Sequence, residues 1–283
     1  MVNQDLKKQI NDEYARRLSE TSLTVLNRTT IKAFTKKTVV VLMSGGVEST
    51  TLVAWCKRRK MDVVGLYMDY GQPWPVEEYA TINVARYYNV DLIKYRLDPL
   101  VGLQPATDHK FSIAFLAMRN PILLSIAINF AFAHGYAEIF HGAEKSVHPD
   151  CSPEFVDRFN FMAEEAMRPE MIPISAPFVD IAKWEVIREA KKLNVPMNLT
   201  WSCMVNPEIP ELSQRSGWIP ENCGECPSCD WRLTSYEKAR LIDPASYSVD
   251  VSGRVGKRAR PFPVISKAAW HKEVDKSSTA RPK

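Results

Sequence analysis

Thr38-Val39-Val40-Val41-Leu42-Met43, followed by Ser44-Gly45-Gly46-Val47-Glu48-Ser49-Thr50, is the stretch on which the fold turns. An unbroken run of apolar and β-branched residues suits a strand covered on both faces, as in a parallel sheet, rather than one with a wet side. The run stops at a glycine pair, and Glu48 to Arg59 then follows a helical pattern. Asp62-Val63-Val64-Gly65-Leu66-Tyr67-Met68 is a second buried strand, which completes a strand–helix–strand unit.

Beyond this unit, helical patterns recur near 76–88, 119–134, 153–168, 181–193 and 228–241, with strand candidates at 91–95 and 137–141. Alternating strands and helices predict a doubly wound, mostly parallel α/β sheet whose ligand crevice lies at the carboxyl ends of the strands. In front of it, Leu6, Ile10, Tyr14 and Leu18 are spaced four apart, as on one stripe of an amphipathic helix. Residues 204–222 carry three prolines and no period, so they read as a loop. The expected division is a helical extension over 1–36, the α/β domain over 37–200, a cysteine-bearing helical region over 201–242 and a basic extension over 243–283.

With 45% hydrophobic and 25% charged residues in 283, the chain has the composition of a globular protein with a substantial core. No run of eighteen apolar residues occurs, and the first seventeen residues are charged where an export signal needs an apolar stretch. A cytoplasmic protein without a membrane partner is expected. Of the net charge of +4, residues 251–283 carry nine Lys or Arg against Glu273 and Asp275. Composition reads this tail as a solvated, partly disordered terminus, with binding to nucleic acid or an acidic partner as the alternative.

A glycine pair after a buried strand, with Ser49 and Thr50 opening a helix, places backbone N–H groups and hydroxyls where phosphate oxygens can be cradled. The Lys of a Walker A loop is absent. At the other end of the chain, Cys203, Cys223, Cys226 and Cys229 supply four thiolates, enough to close a tetrahedral structural zinc site, with free thiols or an iron–sulfur centre as alternatives. Cys56 lies in a helical pattern and reads as plain core.

Ser44 to Ser49 resembles the S-G-G-x-D-S pyrophosphate loop of the N-type ATP pyrophosphatases, which have an adenine nucleotide alpha hydrolase-like fold. From about residue 37 to 241 the chain looks like the QueC family of 7-cyano-7-deazaguanine synthases. The matching pieces are Ser44–Ser49, Asp69-Tyr70-Gly71-Gln72, Arg119-Asn120, His148 to Phe155, Ala176-Pro177 before Lys183, and Thr200-Trp201-Ser202-Cys203 before the later cysteines. The resemblance implies an enzyme that adenylates 7-carboxy-7-deazaguanine at the expense of ATP with magnesium, and passes the acyl group to a nitrogen nucleophile. It implies that Ser44, Gly45, Gly46, Val47, Ser49 and Thr50 bind the nucleotide phosphates, that Glu48 and Asp69 are magnesium-side carboxylates, and that Lys183 balances phosphate charge. Arg119, Asn120, Asp150 and Glu154 would line the deazaguanine pocket, and a homodimer is expected.

The chain departs from the family pattern in places. Glu48 stands where the family has Asp, which displaces the carboxylate by more than ~1 Å. Gln72-Pro73-Trp74 replaces Q-R-H, Ala117-Met118-Arg119-Asn120 replaces P-G-R-N, Cys151-Ser152-Pro153 replaces C-R-P, and the stretch from Gly142 to Asp150 is short. These changes favour altered acceptor chemistry, as in the QueC-like proteins of anti-phage islands such as type IV CBASS, where a protein amine is the associated acceptor. The leading helix and basic tail would suit such a partner. Nitrile synthesis from ammonia is the alternative, and an inactive zinc-bound scaffold is the alternative from another class.

Overall fold

The computed structural model of the chain describes residues 23–27, 38–72, 75–97, 118–145, 148–205, 207, 219–254 and 260–262. The amphipathic pattern over 4–20, most of the 204–222 loop and most of the basic tail lie outside the described residues.

The strands are β1 (Leu23–Asn27), β2 (Thr38–Leu42), β3 (Asp62–Asp69), β4 (Asp91–Arg96), β5 (Glu138–Phe140) and β6 (Ile174–Ser175), with a separate pair, β7 (Leu241–Ile242) and β8 (Arg260–Pro261). The helices are α1 (Val47–Arg58), α2 (Pro75–Tyr88), α3 (Arg119–His134), α4 (Pro153–Met167), α5 (Lys183–Lys192) and α6 (Pro227–Ala239). The main sheet runs β1-β4-β3-β2-β5-β6, parallel throughout except for β1, which pairs antiparallel with β4. From β2 the chain winds outward through β3 and β4, then crosses back to lay β5 and β6 on the other side of β2. That reversal opens a crevice between the carboxyl ends of β2 and β5.

Both faces of the sheet are covered, as the continuous apolar runs require. Leu52, Val53 and Cys56 of α1 and Val84 and Ala85 of α2 pack with Val39 and Val41 on one face. Leu124, Ala127 and Ala131 of α3 and Phe159 and Ala163 of α4 pack with Val40 and Val64 on the other. Cys56 is core, as its pattern suggested, and burial pushes its thiol up to about 12. At the start of α4, the Ser152 hydroxyl accepts from the Phe155 N–H at 3.1 Å and Pro153 occupies the first turn, a cap that fixes where the helix begins.

Two of the expected boundaries shift. Residues 23–27 belong to the sheet as an edge strand, so the segment before residue 37 is not only a helical extension. At the other end, Phe262 packs with Ile187 of α5 and Tyr236 of α6, and Asp243 is buried beside α6, so the chain past 242 is partly built into the cysteine-bearing region. Charge and proline content masked these anchors, because a few apolar and acidic residues fix a segment whose average composition is that of solvated chain.

Candidate functional site

The turn after β2 is shaped by what lies behind it. Gly45 has φ +69°, and a β-carbon there would come within 2.6 Å of the Ala80 side chain and 2.7 Å of the Thr81 nitrogen on α2. Only glycine lets the turn lie this close to that helix. On its open side the Ser44 and Ser49 hydroxyl oxygens lie 3.3 Å apart, and the Ser44 N–H donates to Ser49 Oγ at 3.2 Å. Gly46 caps α1 with extended backbone and no side-chain cap, which leaves the amino end of a twelve-residue helix facing the crevice.

Lys183, the first residue of α5, donates from Nζ to Glu48 Oε1 across the mouth of this turn. A cation and a carboxylate thus flank the helix terminus. Beyond them the crevice widens to a cleft of about 560 Å³, with Leu42, Leu66, Met68 and Leu124 on its apolar side. Arg119 and Asn120, at the start of α3, also line the cleft, and Arg119 reaches Tyr70 and Glu77. Burial raises Glu77 to about 7, and the Arg119 guanidinium offsets only part of that effect.

The cleft's opposite wall is Trp201, Ser202, Met204 and Trp231, all from the cysteine region. The Trp201 backbone N–H donates to the Gly45 carbonyl at 2.9 Å, so that wall is tied directly to the glycine turn. Behind it, the sulfur atoms of Cys203, Cys223, Cys226 and Cys229 all lie within 4.8 Å of one another, with Cys203–Cys226 and Cys223–Cys229 at 3.9 Å. A single tetrahedral ion with bonds of ~2.3 Å sets its sulfurs about 3.8 Å apart, so this spacing suits one ion. A cubane cluster, whose thiolates each bind a different iron, needs a wider set. Backbone N–H groups of Met204, Val205, Cys223 and Glu225 point at these sulfurs at 3.3–3.5 Å, as anionic thiolates require.

Of the residues singled out in the sequence, Ser44, Gly46, Glu48, Ser49, Lys183, Arg119 and Asn120 line one cleft. Gly45 lies beneath the turn, Val47 is buried against Ile187, and Thr50 is buried inside α1. Asp69 turns away. It shares a sheet face with Lys94, which it meets at 2.9 Å and which also holds Glu78 at 2.7 Å. Burial works to raise the Asp69 pKa, but hydrogen bonds from Lys94 and the Gly71 N–H outweigh it and hold the group below the usual carboxylate value. Asp150 reaches the site through its carbonyl, which accepts from Asn120 Nδ2 at 3.4 Å, and Glu154 is exposed in the first turn of α4. Neither side chain is among those lining the cleft.

Among the cleft residues that escaped the sequence reading are Glu77, His141 and Glu144. His141 and Glu144 follow β5 directly, and the rule that places the crevice at strand carboxyl ends was the signal available. Burial lowers His141 to about 4, so its imidazole is neutral at physiological pH.

A mostly parallel sheet with a glycine turn and an open helix terminus at its switch point, a lysine opposite that turn and a cleft alongside have the form of a nucleotide-binding α/β enzyme. A family model described as queuosine biosynthesis protein QueC matches residues 38–240, and the chain belongs to that family. The 7-cyano-7-deazaguanine synthase of Thermoplasma volcanium is 33% identical over 236 residues, covering 75% of this chain and 91% of its own. The synthase of the same name from Oceanobacillus iheyensis is 32% identical over 231 residues, covering 75% and 99%. Among solved structures, the U34-tRNA thiolase NcsA from Methanococcus maripaludis with its 4Fe-4S cluster aligns over 92% of this chain and 91% of its own, at 13% identity and a TM-score of 0.41. The family supports an ATP-dependent ligase activity. The relatives named above are each called 7-cyano-7-deazaguanine synthase, which fits the alternative reading of the sequence better than the anti-phage, protein-amine one. No helix among the described residues is long and apolar enough to cross a membrane.

Proposed function

We propose that the protein is a 7-cyano-7-deazaguanine synthase: it activates the carboxylate of 7-carboxy-7-deazaguanine with ATP, captures ammonia as the amide, and dehydrates that amide to the nitrile with a second ATP. The observation that carries this reading is the single cleft joining the Ser44–Ser49 turn and Lys183 to the pocket bounded by Arg119, Glu77 and apolar strand ends. A carboxylate resists attack until one oxygen becomes part of a good leaving group. In each activation the substrate oxygen attacks the α-phosphate of magnesium-bound ATP, the bond to the β-phosphate breaks, and pyrophosphate departs into the turn. The helix terminus and Lys183 stabilise the charge that collects there. Arg119, Asn120 and Glu77 offer the donors and acceptors that a guanine-like edge requires.

Incubation with 7-carboxy-7-deazaguanine, ATP, magnesium and ammonium is expected to give AMP, pyrophosphate and free nitrile, with the amide as a transient species by mass spectrometry. A deazaguanine mass adduct on protein, without free nitrile, would assign the acceptor to a protein amine instead. No pyrophosphate release with the carboxy-base would favour the inactive scaffold.

The cysteine centre is proposed to hold structural zinc in Cys203, Cys223, Cys226 and Cys229. Four protein ligands leave no open position, so the ion's contribution is to fix the Trp201 wall rather than to activate a substrate. Cys226→Ser is expected to bind no stoichiometric zinc by elemental analysis and to lower Tm by on the order of 10 °C. Iron rather than zinc in the purified protein, or unchanged melting, would count against this assignment.

A further inference from the structure

Glu144 lies on the segment that leaves β5 and runs along the phosphate turn. A β-carbon on Gly142 would sit 3.3 Å from the Ser49 nitrogen, which measures how closely that segment approaches the turn. The segment is pinned on its other side, where the Lys145 N–H donates to the Ile181 carbonyl at 2.8 Å and Glu144 bridges to Phe178. The Glu144 side chain is therefore aimed by backbone on two sides. It is 9% exposed and lines the cleft, and its Oε2 is buried without a hydrogen-bond partner. A buried carboxylate oxygen with no donor is costly unless a ligand supplies one.

Glu48 faces it from α1 and Lys183 from α5, whose backbone N–H also donates to the Glu144 carboxylate. His141, from the end of β5, and His148 line the same cleft, His141 as a neutral ring. Glu48 is already paired with Lys183, so the trio carries one net negative charge when Glu144 is ionised. That balance suits a single monovalent cation with several N–H donors better than a divalent metal. Resting on the reading of the cleft as a carboxylate-activating site, we propose that Glu144 forms the subsite for the nitrogen nucleophile, holding ammonium and taking the proton it must lose before attack.

Ammonium gives one proton to Glu144, and the freed lone pair of ammonia forms a bond to the acyl carbon of the adenylate. The bond from that carbon to the phosphate oxygen breaks with its electron pair going to AMP. The nitrogen's surplus proton leaves with the AMP phosphate, and Glu144 returns its own to water before the next turnover. Burial and the neighbouring Glu48 raise Glu144 to about 7, so ammonia capture is expected to increase as pH climbs through that value and Glu144 becomes able to accept a proton.

The test uses Glu144→Gln in the full chain, with pyrophosphate exchange, product formation and melting measured together. Exchange with 7-carboxy-7-deazaguanine is expected to stay within about twofold of wild type, whereas amide and nitrile formation from ammonium falls roughly 100-fold at neutral pH and follows only the concentration of free ammonia as pH rises. Hydroxylamine, largely unprotonated at neutral pH, needs no base; hydroxamate formation is expected to survive in the variant. Exchange lost together with product would make Glu144 part of the activation step, and ammonia use equal to wild type would remove any role; either overturns the proposal. If the Gln variant does not fold, Glu144→Asp replaces it, with ammonia use impaired more than hydroxylamine use as the supporting result and equal impairment as the overturning one. Absence of exchange in the wild-type protein would instead sink the activation reading on which this one stands.

Discussion

Lys183→Met is expected to slow pyrophosphate release by about 10²–10³-fold, the typical loss when one preorganised donor at a charge-developing centre is removed. Lys183 Nζ lies across the mouth of the phosphate turn and is only 13% exposed, so its charge acts through protein rather than bulk water. In the free protein that charge is held by Glu48, itself 19% exposed. Two roles fit this geometry: Lys183 stabilises departing pyrophosphate, or it merely neutralises Glu48. Glu48→Gln combined with Lys183→Met separates them. If Lys183 acts on phosphate, the double variant stays as slow as Lys183→Met; recovery toward the rate of Glu48→Gln would reduce Lys183 to a counter-ion. Lys192→Met, which removes a 73% exposed partner of Glu189, is the control and leaves the rate unchanged.

The sequence made some of this site legible and hid the rest for identifiable reasons. The turn at Ser44–Ser49 was readable because a buried strand, a glycine pair and a helix start are local signals, each fixed within a few residues. The four cysteines were readable as a metal cluster because three of them fall in one C-x-x-C-x-x-C run, but their sequence spacing did not choose between one ion and an iron–sulfur centre. Asp69 was placed beside magnesium by the family resemblance alone, which carries no side-chain direction; β3 alternates, and in the structure Asp69 lies on the face of Lys94 and α2. Glu77 and Glu144 were invisible because an acid in the first turn of a helix, or in a short loop, reads as solvated until distant elements are seen to bury it. Edge strand β1 was missed because five residues leave little period to detect.

Arg232, on α6, is fully buried beside Asp243, whose side chain is 3% exposed. Its Nε and Nη2 reach the two Asp243 oxygens at 2.6 and 2.9 Å, while Nη1 donates to Thr200 Oγ1 at 2.8 Å and Nη2 to the Met197 carbonyl at 3.2 Å. Asp243 also accepts from the Tyr247 hydroxyl at 2.7 Å and the Ala245 N–H at 3.0 Å. The pair therefore ties the helix bearing Cys229 to the Thr200–Cys203 segment and to the chain beyond α6. Arg232→Met strands a buried carboxylate, and the expected cost is about 3–5 kcal/mol in denaturant unfolding. Release of the proposed zinc to a chelating dye should accelerate in parallel, because Cys203 and Cys229 lose the strut that sets their separation. Arg232→Met with Asp243→Leu removes both charges and should regain most of that stability, since an apolar pair of similar volume pays no desolvation. A loss below about 1 kcal/mol in the single variant, or a double variant no more stable than the single, would show that the pair is not what holds the Trp201 wall against the phosphate turn.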